Sequence, residues 1–342
     1  MAEKLSVDKK IELVKRNVVE ILGEAELEKL LNSKQKPVVY LGTAITGSPH
    51  VAYFLWVLKL ADFLKAGFKV KILLADLHGA LDGTPWEILE KRFGYYEKIV
   101  PLMFESLGVN TKDLEFVKGS SFELKKDYQE DLLKLATLVS VRDATKAASE
   151  VVKQGKNPKI SGLIYPLMQA LDEEYLGVDV QYGGLDQRKI FVLATEILPK
   201  INYKKRVHIM TLIIPGLVGK KMSSSVKESK IDLLDSEEEV RKKINGAECV
   251  AGNPDNGLMA FLKHVLMMIK KDRNEKFVIE RAEKYGGNLS YMDYESVEKD
   301  FKSKKIHPLD LKNAVSFEIN ELLVPIRKKR IELLKLWKEG YN

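Results

Sequence analysis

The chain has 342 residues, 45% hydrophobic and 31% charged, a balance that gives a globule with a sizeable core and excludes an intrinsically disordered chain. No apolar run reaches the length of a membrane span, the N-terminus lacks the apolar stretch of a signal peptide and the arginine bias of a transit peptide, and the single Cys249 offers neither an internal disulfide nor a thiolate metal site, so a cytoplasmic protein without membrane contact is expected. The net charge of +7 gathers late: from Phe301 to Asn342 ten basic residues face five acidic ones, which suits either a phosphate backbone or a solvated lysine-rich face.

In chain order, Ile11, Leu13, Val14, Val18, Ile21 and Leu22 recur at helical spacing and predict helix over roughly the first thirty residues, with Gly23 able to stop the run. Pro37 to Gly42 reads as a short apolar strand, Thr43 to Pro49 as a loop, and His50 to Lys65 as a helix. Phe68 to Asp76 is a buried strand after a turn at Gly67. This strand–loop–helix–strand order predicts a parallel α/β unit. Trp86 to Val152 is mainly helical, broken by a strand at Leu114 to Lys118, and Gly155 to Pro158 is a loop. Helix at Ile164 to Tyr175, strand at Val178 to Tyr182, helix at Gln187 to Leu198 and a last strand at His208 to Ile214 complete the body. Gly216 to Ser229 is rich in Gly, Ser and Lys and predicts a mobile loop. Beyond Ile231 only Gly246 to Gly257 and Gly286-Gly287 interrupt helix. The expected architecture is α/β. Residues 1–215 form an N-terminal helix and a Rossmann-like parallel-sheet domain with a helical insertion at about 120–160. A loop at 216–230 then leads to an all-helical domain at 231–342.

Four stretches carry polar chemistry. In Lys220-Lys-Met-Ser-Ser-Ser225 an ammonium flanked by hydroxyls in a Gly-rich loop suits a polyphosphate; as a bare string it equally suits a solvated linker. Pro49-His50-Val-Ala-Tyr53 opens the first crossover helix, where free amides and the positive dipole end favour an anion and His50 adds a donor. In Gly183-Gly-Leu-Asp-Gln-Arg-Lys189 the glycines allow backbone approach and Asp186 can accept both hydroxyls of a ribose, or the stretch is a plain strand-to-helix turn. Tyr165, Gln169 and Asp172 stand one turn apart on one helix face, and either cap a core network or point into a pocket.

Together these pieces resemble the tyrosyl-tRNA synthetases of eukaryotic and archaeal type, within the class I aminoacyl-tRNA synthetases. The first looks like the KMSKS signature and the second like HIGH, with Ala52 standing for Gly and Tyr53 for the second His. Leu73 to His78, Ala170 to Leu176 and His208 to Met222 match in order, so the resemblance runs nearly the whole chain. It implies catalytic roles for His50, Lys221, Ser223, Ser224 and Ser225, and ATP contacts from Pro49, His50, Ala52, Gly184, Asp186, Lys221 and Met222. For tyrosine it implies Tyr40 with Asp172 on the phenol, Tyr165, Gln169 and Gln187 on the ammonium and carboxylate, and Gly42, Leu73, Ala75 and Phe122 along the ring. A buried Tyr–Asp pair left without a substrate hydroxyl rejects phenylalanine by polar desolvation, a discrimination already known for this enzyme class.

The resemblance further implies tRNA contacts. Lys146 and Arg188 fall on the acceptor-stem side, and Tyr285, His307 and Asp310 on the anticodon side, making 231–342 an anticodon-binding domain. It implies ligation of L-tyrosine to tRNA(Tyr) through a tyrosyl-adenylate, with ATP and Mg²⁺ and no protein metal site. It also implies a homodimer formed by the helices between about Leu124 and Val152, and, since the chain ends soon after Trp337, no appended C-terminal domain. A tryptophan-specific relative, a silent tRNA- or protein-binding paralogue and a free-standing RNA-binding module remain alternative readings.

Overall fold

Two neighbouring strands whose side chains alternate between two buried faces organise the molecule. The computed structural model describes residues 5–33, 36–152, 157–219 and 229–341. In chain order the strands of the main sheet are β1 (Val18–Leu22), β2 (Val38–Ala44), β3 (Lys69–Ala75), β4 (Leu114–Lys118), β5 (Val180–Gly184) and β6 (Val207–Thr211). They lie in the order β1-β6-β5-β2-β3-β4, all parallel except for β1. The chain runs outward from β2 through β3 to β4, then returns to place β5 on the other side of β2. The switch point of this Rossmann-like sheet therefore lies between β2 and β5, where a crevice opens at the carboxyl ends of the strands.

Alternation assigns each residue of β2 and β3 to a face. Val39, Leu41, Ile72 and Leu74 join a core that continues through the helices Phe54–Lys65 and Trp86–Ser106 into the C-terminal region. Tyr40, Leu73 and Ala75 join a second core with the helices Lys126–Ala136, Val141–Ala148, Ser161–Tyr175 and Arg188–Ile197. Register puts Gly42 opposite Leu73 and Ala44 opposite Ala75.

The N-terminus departs from the helix expected there. Helix Val7–Lys15 ends early because Asn17 takes a left-handed φ of 59°, and β-branched Val18, Val19 and Ile21 then form β1, antiparallel to β6. Arg16, at the end of that helix, bridges Asp62 on Phe54–Lys65 and Asp272 on the helix Met267–Arg273. The neighbouring Lys59, 1% exposed, donates to the carbonyls of Leu13 and Val14 and pairs with Asp62; burial pulls its pKa down to about 8 against that pairing.

The C-terminal region is mostly helical, with Glu237–Gly246, Pro308–Leu322 and Arg330–Tyr341 its longer members. It also holds a short antiparallel ribbon of β7 (Phe277–Ile279) and β8 (Leu289–Tyr291), where helix alone was expected. Buried Phe277, Ile279 and Tyr291 alternate with Val278 and Ser290, a period of two too short to stand out in sequence. Arg327 donates to the Asp235 carbonyl and to Asn320, and Arg330 to the Leu234 carbonyl, so these two of the late basic residues hold the fold.

A Cβ on Gly257 would lie 2.1 Å from the Gly216 carbonyl oxygen, whereas one on Gly94, inside Trp86–Ser106, meets nothing within 4 Å. Gly257→Ala is expected to cost ~1–3 kcal/mol in urea unfolding, and Gly94→Ala to stabilise by about 0.5–1 kcal/mol. Equal midpoints for the two variants would contradict this packing.

Candidate active site

At the switch point a cavity of about 340 Å³ opens beyond the carboxyl ends of β2 and β5. Tyr40, Gly42, Leu73 and Ala75 form its floor, and Tyr165, Gln169 and Asp172 enter from one face of the helix Ser161–Tyr175. Asp186 and Gln187, from the 3-10 turn Leu185–Gln187, complete the wall. The helical spacing of the three residues on Ser161–Tyr175 and the strand alternation thus converge on one space.

The deep end is polar. The Tyr128 hydroxyl lies 2.9 Å from both Asp172 Oδ1 and the Met168 carbonyl oxygen, while the Tyr40 hydroxyl donates to the Gln169 carbonyl at 3.3 Å. Tyr40 and Asp172 both face the cavity, but in this state each has its own protein partner rather than the other. His78 Nδ1 lies 3.4 Å from Glu123 and Nε2 3.7 Å from Asp172, with the ring edge-on to Tyr165 at 4.7 Å. All three polar residues of this cluster are buried.

Burial, reinforced by Glu123, pushes the Asp172 carboxyl well above the usual carboxylate range, with His78 and Tyr128 pulling the other way. Burial alone would lower the His78 pKa, but Glu123, Asp172 and Asp76 outweigh it and raise it. Burial first, and nearby acids second, raise the Tyr40 and Tyr128 hydroxyls, so both stay protonated donors. The ligand atoms of His78, Glu123 and Asp172 lie within 4.8 Å of one another, a spacing that could hold a cation; a protonated imidazole is itself the positive partner there.

Nearer the mouth, the Gln169 side-chain amide donates to Gln187 Oε1 at 3.0 Å. The glycines before this turn make room for the turn and the helix after it: a Cβ on Gly183 would lie 2.9 Å from the Phe191 ring, and one on Gly184 2.7 Å from Asp186.

Of the segment read as HIGH-like, Pro49 to Tyr53, only Tyr53 borders this space, beside Thr46 and Trp56 on either side of the segment, while Pro49, His50, Ala52 and Gly184 are not in the cavity wall. His50 caps a 3-10 turn, Val51–Tyr53, ahead of the helix, and the Val51 amide is taken by the Ile231 carbonyl. That amide is not free for an anion, contrary to a simple helix start. The His50 ring is buried edge-on to Tyr53 at 5.0 Å, and its Nδ1 has no hydrogen-bond partner among the described residues. Burial, then the Lys230 charge, pulls its pKa down to about 3, so the imidazole is neutral.

Phe122, expected along the ring, packs edge-on against Tyr128 behind the cavity instead. Lys221, Met222, Ser223, Ser224 and Ser225 lie outside the described residues. Sequence reasoning missed Tyr128, which is one tyrosine on an amphipathic helix and carries no local signal. It also assigned no role to His78, although the position just past β3 marked it as near the crevice.

The residues read as RNA-facing lie elsewhere. Lys146 and Arg188 are exposed, Arg188 pairing with Glu20 of β1 at 2.7 Å. Tyr285 is 64% exposed before the left-handed Gly286 and Gly287. His307 caps the helix Pro308–Leu322, with Asp310 in its first turn. Arg281 donates to both the Gly287 and Lys305 carbonyls and so ties the Tyr285 turn to the segment before His307.

The family described as tRNA synthetases class I (W and Y) matches residues 32–324. The chain belongs to this family. Among curated relatives of this class I family, the tyrosine–tRNA ligase, cytoplasmic, of Danio rerio is 51% identical over the whole of this chain and 64% of its own length. The probable tyrosine–tRNA ligase, cytoplasmic, of Encephalitozoon cuniculi is 44% identical over 99% of this chain and 100% of its own. The tyrosyl-tRNA synthetase of Archaeoglobus fulgidus, solved with L-tyrosine, is 39% identical and superposes with a TM-score of 0.87 over 95% of this chain and 100% of that one. The chain spans 63–65% of the length of the vertebrate relatives.

In an NMR titration, His78 is expected to lose its proton above the ordinary 6.5, and Glu123→Gln to bring that value down. Because the folded pKa exceeds the unfolded one, the stability His78 contributes is complete below 6.5 and is lost as pH rises through the folded value. A midpoint below 6.5 would contradict the cluster described above.

Proposed function

We propose that this chain is a tyrosine–tRNA ligase, which activates L-tyrosine with ATP and transfers it to tRNA(Tyr). The observation that carries this reading is the cavity at the sheet switch point, with Asp172 and Tyr40 at its deep end, Tyr128 behind it holding Asp172, and Gln169, Gln187 and Asp186 nearer its mouth. A phenol entering this end meets the Asp172 carboxyl and the Tyr40 hydroxyl. The Tyr165 hydroxyl, Gln169 and Gln187 hold the ammonium and turn the carboxylate outward. The names of the Danio rerio, Encephalitozoon cuniculi and Archaeoglobus fulgidus relatives support the same substrate.

In the first step a tyrosine carboxylate oxygen forms a bond to the α-phosphorus of ATP as the bond to the pyrophosphate oxygen breaks. In the second, a terminal ribose hydroxyl of the tRNA attacks the tyrosyl carbonyl and AMP leaves. Neither step needs a protein nucleophile; the protein aligns the groups and stabilises the charge on phosphorus. ATP brings Mg²⁺ on its pyrophosphate side. Neutral, buried His50, whose Nδ1 is unpartnered among the described residues, suits a hydrogen bond to phosphate, Asp186 suits the ribose hydroxyls, and Lys221 with Ser223 to Ser225 supplies the remaining charge and donors.

On this reading residues 1–215 carry activation, 216–230 the phosphate loop, and 231–342 anticodon recognition through Tyr285, His307 and Asp310, with Lys146 and Arg188 on the acceptor stem. The helical segment between Leu124 and Val152 leaves Leu124, Leu133 and Val141 exposed, Val141 at 70%, which supports a homodimer across that face. Among the described residues no helix is long and apolar enough to cross a membrane, and the yeast and Danio rerio relatives are named cytoplasmic, which supports action in the cytoplasm.

The test is amino-acid-dependent ATP–pyrophosphate exchange with tyrosine, phenylalanine and tryptophan. Exchange with tyrosine alone, falling at least about a hundredfold in Lys221→Ala, is expected. Exchange with tryptophan would overturn the pocket assignment, and none in a folded protein that binds tRNA would favour a silent paralogue.

A further inference from the structure

The loop 45–50, between β2 and the Val51–Tyr53 turn, is held by side chains from the far end of the chain. Trp337 Nε1 donates to Ser48 Oγ at 3.1 Å, and Ser48 Oγ donates to Asp232 at 3.0 Å. The Tyr341 hydroxyl donates to the Gly47 carbonyl at 3.0 Å, where the Tyr96 hydroxyl also donates, at 2.5 Å. Tyr96 is in turn 3.2 Å from the hydroxyl of Tyr53, the residue standing where the resemblance expects a second histidine. Arg92 donates to the Thr46 and Gly340 carbonyls and lies 4.6 Å over the Tyr341 ring.

On its other side the same loop meets the segment that follows residue 228. Val51 donates to the Ile231 carbonyl, His50 and Asp232 form an isolated antiparallel bridge, and Lys230 reaches Asp232 at 3.3 Å. The Thr46 and Gly47 carbonyls therefore depend on side chains, not on a sheet ladder, for hydrogen bonds. The helix Arg330–Tyr341 packs Leu333, Leu334 and Leu336 on the core, and its polar atoms are additional to that packing. Here the polar tips of Trp337 and Tyr341 both end on one short loop, at the consecutive residues Ser48 and Gly47, separated from His50 by Pro49 alone. A phosphate-binding group must be held to within about half an ångström to act well, which requires rigid support of this kind.

We infer that Trp337 and Tyr341 are positioning residues for ATP: acting through Ser48 and Gly47, the C-terminal helix Arg330–Tyr341 fixes His50 where the phosphates bind. The inference rests on the proposed nucleotide role of the Pro49–Ala52 segment. It assigns the C-terminal helix to substrate affinity in the first step, independently of any contact with RNA.

Tyr341→Phe keeps the ring, Trp337→Phe replaces the indole by a smaller aromatic ring, and each removes one donor. In the full chain, ATP binding is measured by calorimetry without tyrosine, KM for ATP and for tyrosine by pyrophosphate exchange, and Tm by thermal unfolding. Each variant is expected to weaken ATP binding and raise KM for ATP by about 2- to 10-fold, the worth of one hydrogen bond, while KM for tyrosine stays within about twofold. The double variant should weaken ATP binding further. Unchanged ATP affinity, or both KM values rising together with a lowered Tm, would overturn the inference in favour of a merely structural role. An unaltered chain that binds no ATP would overturn it too. ATP binding that weakens in the variants, with no exchange by the unaltered chain, would sustain the inference while sinking the proposed ligase activity.

Discussion

The parallel, in-register pairing of β2 with β3 is the constraint on which the cavity depends. With a side-chain period of two, that register sends Tyr40, Leu73 and Ala75 to one face and Val39, Leu41, Ile72 and Leu74 to the other. A slip of one residue on either strand would place a core aliphatic where Tyr40 or Ala75 now lines the cavity. The switch of chain direction beside β2 then opens the crevice at the end where those small and polar residues emerge. Fold and site are consequences of the same pairing.

The second constraint is electrostatic. Glu123, Asp172 and His78 are taken out of water together, and buried charges of one sign are tolerated only with a partner. His78 lies between the two carboxylates, and Tyr128 gives Asp172 a hydrogen bond besides. Asp172 is thereby held in one orientation while remaining an acceptor for a hydroxyl in the cavity. Its presence beside Tyr40 at the deep end of the cavity suits a phenol better than a bare ring. Breaking one member of such a network leaves another unpaired, so its parts act as a unit.

Much of this was legible in the sequence because several weak signals shared an order. The strands at Pro37 to Gly42, Phe68 to Asp76 and Leu114 to Lys118 and the face shared by Tyr165, Gln169 and Asp172 lie close to where periodicity put them, and the stretch Gly183 to Lys189 brings Asp186 and Gln187 to the cavity, although Gly183 and Gly184 belong to β5 and the turn follows them. The failures have physical causes. Val18–Leu22 follows a helix without a Gly or Pro between them; its break is made by a left-handed Asn17, and its strand state by pairing with distant β6. Tyr128 reaches Asp172 across a sequence distance that no local pattern encodes. Trp337 and Tyr341 carry no local signal, yet their polar atoms close a loop nearly three hundred residues earlier. Long-range hydrogen bonds of this kind are the information that composition and spacing lack.

The measurement that tests the central claim most directly is equilibrium binding of tyrosine and phenylalanine to the full chain by calorimetry, without ATP. If the deep end of the cavity is built for a phenol, tyrosine binds, and phenylalanine binds more weakly by at least about tenfold, because it leaves buried polar groups unsatisfied. Asp172→Asn should narrow that gap by weakening tyrosine. Equal binding of the two amino acids, or a gap that Asp172→Asn leaves intact, would contradict the assignment of this cavity to the substrate hydroxyl.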